Sequence, residues 1–116
     1  MKHRKANKTL GRVASDRVQM LRNMSSSLLE HGAIMTTKAK AKALQRYFEP
    51  LITEAKKEQT LHRRRSLLRK VAKDGDVGKL FEVATKMDRP GGYTRIIKTM
   101  NHRPDNAETA RIEIVK

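Results

Sequence analysis

The sequence predicts a two-layer α/β (α+β) domain: about four helices packed on a small mixed sheet of about three strands, behind a basic N-terminal extension. Three observations carry this. Apolar residues recur at helical spacing in successive blocks between Ser15 and Thr85. From Tyr93 onward the period falls to two, and helices followed by strands in separate runs make a layered α+β domain. The first fifteen residues carry Lys2, Arg4, Lys5, Lys8 and Arg12 without a single carboxylate. Such a segment repels itself and has too few apolar residues to form a core, so it should stay unfolded until a polyanion neutralises it. The division expected is an extension over residues 1–14 and one domain over 15–116.

The helices follow in order. Ser15 is a candidate N-cap, and Asp16 in the first turn complements the helix dipole. Leu21, Met24 and Leu28 form one stripe running to about His31, and Gly32 can end the helix in the left-handed conformation. Arg17 and Arg22 fall off that stripe and extend the positive surface of the arm. Ile34, Met35 and Thr36 have strand character, and Thr37 can cap the second helix, whose buried stripe is Ala41, Leu44, Phe48, Leu51, Ile52 and Ala55. Pro50 stands inside it and forfeits a backbone hydrogen bond. Because the stripe stays in phase, a bend between Arg46 and Pro50 is expected, not two helices. Leu61, Leu67, Leu68, Val71 and Ala72 suggest a third helix. Asp76 can cap a fourth, buried through Val77, Leu80, Phe81 and Ala84, and Pro90-Gly91-Gly92 stops helical structure.

Alternation marks the C-terminal part. Thr94, Ile96 and Met100 share one face while Tyr93, Arg95 and Ile97 share the other; Ala110, Ile112 and Ile114 alternate with Arg111, Glu113 and Val115. The two runs make an antiparallel hairpin, joined by a long polar tip, Asn101 to Thr109, that holds His102 and Arg103.

Charge points to function. The chain has 27 Lys plus Arg against 12 Asp plus Glu in 116 residues, a net charge of +15. So basic a domain repels itself unless a partner supplies countercharge, and nucleic acid ranks first among such partners, ahead of an anionic membrane surface or an acidic protein. The candidate cationic surfaces are the arm, a helical stripe of Lys38, Lys42 and Arg46 at i, i+4 and i+8, a cluster of Arg63, Arg64 and Arg65, and Arg95 with Arg103. Arginine forks grip phosphate with two parallel hydrogen bonds. Aromatic residues make up only 3% of the chain, so base stacking is poorly supported, and recognition of folded RNA by shape and backbone fits better. An architectural DNA-binding protein is the alternative reading.

Enzymatic chemistry has no foothold. The sequence lacks a G-x-S-x-G elbow, a Walker-type phosphate loop, His-Glu-x-x-His and G-x-G-x-x-G. His3, His31, His62 and His102 are scattered without ligand spacing, and cysteine is absent, so no metal, no cofactor and no small-molecule substrate is expected. No stretch approaches the roughly 20 apolar residues of a membrane span.

Several segments resemble the bacterial large-subunit ribosomal protein L-seventeen family. They are Met1-Lys2-His3-Arg4-Lys5, Leu10-Gly11-Arg12, Met20-Leu21-Arg22-Asn23, Thr36-Thr37-Lys38-Ala39-Lys40-Ala41, Leu51-Ile52-Thr53, Lys79-Leu80-Phe81 and Gly91-Gly92-Tyr93-Thr94-Arg95-Ile96. The resemblance covers essentially the whole chain. It implies a non-enzymatic, architectural role: a compact α/β domain on the cytoplasmic ribosome, near the region where the nascent peptide emerges. The basic extension would enter large-subunit ribosomal RNA, with neighbouring ribosomal proteins as further partners. By the same resemblance His3, Arg4, Lys5, Arg12, Arg17 and Arg22 match the family's opening block, Lys38 and Lys40 a central block, and Tyr93 and Arg95 a late one.

Overall fold

In the computed structural model, which describes residues 13–57, 59–100 and 107–115, helices cover one face of a three-stranded sheet, and among the described residues no element lies on the other. The element order is α1 (Ala14–His31), β1 (Ala33–Thr37), α2 (Lys38–Ala55), α3 (Leu61–Leu68), α4 (Gly75–Thr85), β2 (Thr94–Lys98) and β3 (Thr109–Ile114). The expected arm residues Lys2, His3, Arg4, Lys5, Lys8 and Arg12, and Arg103 at the hairpin tip, lie outside the described residues.

α2 is the element around which the rest is arranged. Its stripe is buried as its spacing required, with Ala41, Leu44, Phe48 and Ile52 wholly inaccessible. The Thr37 hydroxyl accepts from the Lys40 amide at 3.4 Å and caps it. Pro50 leaves it one continuous helix. Pro50 is exposed, so its ring lies on the solvent side of the helix, where the amide hydrogen that it lacks costs least. Against α2 pack Leu28 and Leu29 from α1, Leu67 from α3, and Val77, Leu80 and Phe81 from α4.

The sheet order is β1-β3-β2, and both pairings are antiparallel. The mixed sheet expected is therefore corrected: β3 sits between two strands that both run against it. On the inner face Ile34, Ile112 and Ile96 form one cross-strand row. The row on the outer face is Met35, Arg111 and Ile97.

Local details also depart from the sequence reading. α1 begins at Ala14 after an uncapped Val13, so Ser15 lies inside the first turn and is not the cap. Gly32 takes φ 78° as expected, and its amide reaches the Leu28 carbonyl at 2.8 Å. α3 stops at Leu68, short of Val71 and Ala72, and both Leu61 and Leu68 are exposed. With Leu67 its only buried residue, α3 has too narrow an apolar face to extend. Asp76 sits within α4 and is buried, where its Oδ2 accepts from the Lys73 amide at 3.3 Å.

Candidate nucleic-acid interface

The sequence placed cations at Lys38, Lys42 and Arg46, and the fold turns them toward the outer edge of β2. Between α2 and that edge runs a groove of about 480 Å³ lined by Lys38, Lys42, Gln45, Arg46, Ile96 and Lys98. Residues four apart on a helix are about 6 Å apart along its axis, so the three α2 cations form an evenly spaced row along one wall. Lys98 stands on the opposite wall. The Lys38 ammonium has a loose partner in the exposed Glu108, 3.5 Å away. Among the described residues neither Lys42 nor Lys98 has a carboxylate partner.

The groove exists because α2 holds β2 at a fixed distance. β2 bonds to β3 through alternate residues, so the peptide groups of Thr94 face outward. Gln45 and Glu49, one turn apart, collect them. Glu49 Oε1 accepts from the Thr94 amide at 3.1 Å and from its hydroxyl at 2.8 Å, and Gln45 Nε2 donates to the Thr94 carbonyl at 3.4 Å. Past this tie, beyond Gln45 and Arg46, the groove opens into a depression of about 750 Å³. Lys57, His62 and Arg63 lie along it with Glu49 and Glu54.

Those two carboxylates are occupied. Glu49 serves Thr94, and Glu54 Oε2 lies 3.0 Å from the Lys70 ammonium. Partial burial pushes the Glu54 carboxyl up. Hydrogen bonds from Lys70 and Ser66, with the charges of Lys70 and Arg63, outweigh that and hold it below its ordinary value. The narrow groove is basic because no carboxylate is among its lining residues, while the two acids of the depression are engaged by Thr94 and Lys70.

Other expected RNA-binding residues are dispersed. Lys40 turns to the far side of α2 and lines a separate groove with Met20, Met24 and Met35. Arg17 is half-buried on α1. Arg22 points partly inward: its Nε is buried without a hydrogen-bond partner, and its guanidinium lies beside the Tyr47 phenol. Burial raises the pKa of that phenol, Arg22 opposes the rise, and the hydroxyl donates to the Lys70 carbonyl at 2.7 Å. The arginine cluster divides, with Arg63 on the depression, Arg64 over the Phe81 ring at 5.7 Å and Arg65 exposed. Arg95 is on the outer sheet face, where its Nε donates to Glu113 Oε1 at 2.8 Å.

Tyr93 is a correction. Its ring is 1% exposed, sealed in the core beneath the Lys56 ammonium at 5.3 Å, and has no face left for a base. It precedes β2, so strand alternation does not govern it. Lys98 was missed, though a signal existed: it alternates with Thr94 and Ile96, the residues of β2 that face α2.

Among the described residues no helix is long and apolar enough to cross a membrane, and no cluster of three or more His, Asp or Glu could hold a metal ion. Residues 20–115 match the family model described as Ribosomal protein L17. The chain is 49% identical to the large ribosomal subunit protein bL17 of Gemmatimonas aurantiaca, over 99% of this chain and 98% of that one. It is 51% identical to the protein of the same name from Bacteroides fragilis, over 99% of this chain and 72% of the relative. With that of Salinibacter ruber it shares 50% identity over 99% of its own length, and it spans 59% of that longer relative.

Proposed function

Because the chain belongs to the ribosomal protein L17 family, we propose that it is a structural constituent of the large ribosomal subunit that binds large-subunit ribosomal RNA and stabilises its tertiary fold. The role is architectural, without catalysis. The observation that carries RNA binding is the trough along α2: Lys38, Lys42, Arg46 and Lys98 converge on one groove whose lining residues include no carboxylate, with the exposed Glu108 3.5 Å from Lys38. Phosphates seated there would release counterions, the main source of affinity for a basic protein on a nucleic acid. The arm, residues 1–14, adds five cations without an acid and would order as RNA folds around it. With Tyr93 in the core, recognition proceeds through backbone and shape, not stacking. The resemblance of the opening block supports a location near the nascent-peptide exit region, on the cytoplasmic ribosome.

The test is sedimentation of a cell lysate through sucrose at rising salt. The protein should travel with the large subunit and leave it only at high salt, and excess duplex DNA should not displace it. Free protein at every salt concentration would refute the reading, and preferential transfer to DNA would favour an architectural DNA-binding protein.

A further inference from the structure

We propose that the depression at the end of the trough holds one unstacked nucleotide of the bound RNA, whose amino-bearing base (adenine, cytosine or guanine) donates to Glu49 Oε2. The inference rests on the RNA reading above and deepens it.

The cation row of α2 stops partway along the helix. Lys38, Lys42 and Arg46 stand one turn apart, but the next positions on that face are Glu49, Pro50 and Thr53, and a cation returns only at Lys57. The gap from Arg46 to Lys57 is roughly 16 Å along the helix direction. A sugar–phosphate backbone that follows the row therefore leaves its cations at Arg46 and comes upon two carboxylates, Glu49 and Glu54, in the depression. A phosphate set against them would meet like charge. The part of the nucleotide turned toward α2 over this stretch is the base, with Arg46 behind it and Lys57 ahead for the flanking phosphates.

Glu49 has the chemistry to read that base. Its Oε1 is taken twice, by the amide and by the hydroxyl of Thr94. Oε2 has no hydrogen-bond partner among the described residues, although Glu49 is half-buried and lines the depression. The two bonds at Oε1 fix the plane of the carboxylate, so Oε2 cannot turn to find a partner elsewhere in the protein. Glu54 is different, since Lys70 and Ser66 already hold it. Adenine, cytosine and guanine each carry an amino group that a carboxylate accepts from. Uracil has a single N–H between two carbonyl oxygens, which the carboxylate repels.

Shape agrees. A volume of about 750 Å³ falls within the range of roughly 300–1,000 Å³ typical of small-ligand sites, enough for a nucleotide and too little for a duplex. The exposed Pro50 ring gives the base an apolar surface to lie on, and His62 of α3 lines the depression from the other side. Bases splayed out of loops and bulges are the usual points of sequence recognition in RNA. One such base would add a single point of preference to binding that otherwise follows backbone and shape.

The experiment titrates the full chain, by filter binding, with RNA hairpins that are identical except for one bulged nucleotide, A, C, G or U, and with the same hairpin lacking the bulge. The A, C and G hairpins should bind several-fold more tightly than the U hairpin. Cytosine against uracil is the sharpest pair, because the two bases have the same size. In Glu49→Gln the amide oxygen can stay on Thr94 while an N–H donor replaces Oε2. That variant should erase or reverse the preference for C over U without weakening binding to the unbulged hairpin. Equal affinity of the parent protein for the C and U hairpins would overturn the proposal, and this comparison does not depend on any variant folding. A preference that Glu49→Gln leaves untouched would overturn it too. If the hairpins bind equally and in a salt-dependent way, the RNA reading of the trough survives alone. No binding to any hairpin at about 50 mM salt would remove that reading, and the nucleotide site with it.

Discussion

One carboxylate oxygen of Glu49 accepts both the amide and the hydroxyl of Thr94, and this joins the middle of α2 to the open edge of β2 across 45 residues of chain. The bond shapes the trough as well as supporting the fold. Glu49→Ala would leave the Thr94 amide unpaired in a part-buried site, at a cost of about 1–3 kcal/mol. Glu49→Gln keeps an acceptor oxygen and should cost less. Urea unfolding of both variants checks the order, and hydrogen exchange should show the Thr94 amide losing protection in Glu49→Ala first. Equal stability of the three proteins would mean that the tie contributes nothing.

Leu44 makes a second test, this time of the core. Its side chain is wholly buried in the core cluster, in the middle of the stripe that the sequence displayed. Leu44→Ala should lower unfolding free energy by about 2–5 kcal/mol, the spread reflecting how far neighbours collapse into the space. An unchanged urea midpoint would contradict the packing.

What the sequence made legible follows from how local each determinant is. The α2 stripe, the left-handed stop at Gly32 and the β2–β3 hairpin each depend on spacing within one segment, and they are where spacing put them. The cap of α1 and the end of α3 depend on weak preferences that packing overrides: Ser15 is drawn into the first turn, and α3 has only Leu67 to bury. The site was legible along α2 and illegible across it. Lys42 and Lys98 share a groove only because Glu49 and Gln45 hold their two elements together, a contact between segments far apart in the chain. The burial of Tyr93 is of the same kind, set by what lies over the turn and not by the residues around it.

Glu54 predicts a pH dependence. Its folded pKa is lowered, so the unfolded chain takes up the proton first as pH falls. The contribution is fully present above the ordinary value of 4.5 and is lost as pH drops through the folded value. The stability difference between the parent protein and Glu54→Gln should be constant from pH 7 down to about 5 and shrink in more acid solution. Urea midpoints at three pH values give the comparison, and a difference that grows with acidity would reverse the sign and reject the Glu54–Lys70 assignment.

Deleting residues 1–12 should leave the fold intact, since every buried residue of the described core lies from Ser25 onward. The far-ultraviolet circular dichroism of the truncated protein should keep its helical minimum, while its affinity for ribosomal RNA falls along with the arm's cations. Loss of the helical signal would make the arm part of the folded domain.

The sharpest functional test compares cations that the fold has treated differently. Lys42 and Lys98 line the same groove without a carboxylate partner among the described residues, whereas Arg95 is bound to Glu113 on the opposite side of the sheet. If each lysine meets one phosphate, Lys42→Ala or Lys98→Ala should reduce the slope of log affinity against log salt by about 0.7–0.9, and the double variant by about twice that. Arg95→Ala removes a cation that shares the Glu113 carboxylate with Arg111 and lies outside the groove, and should change the slope less than either lysine does. Filter binding to a ribosomal RNA fragment between 50 and 200 mM salt, the range in which such contacts separate well, reads all four slopes. Equal effects from all three residues would mean that affinity follows net charge and that the groove has no special part in it. A change in slope at Arg95 alone would move the RNA to the bare face of the sheet.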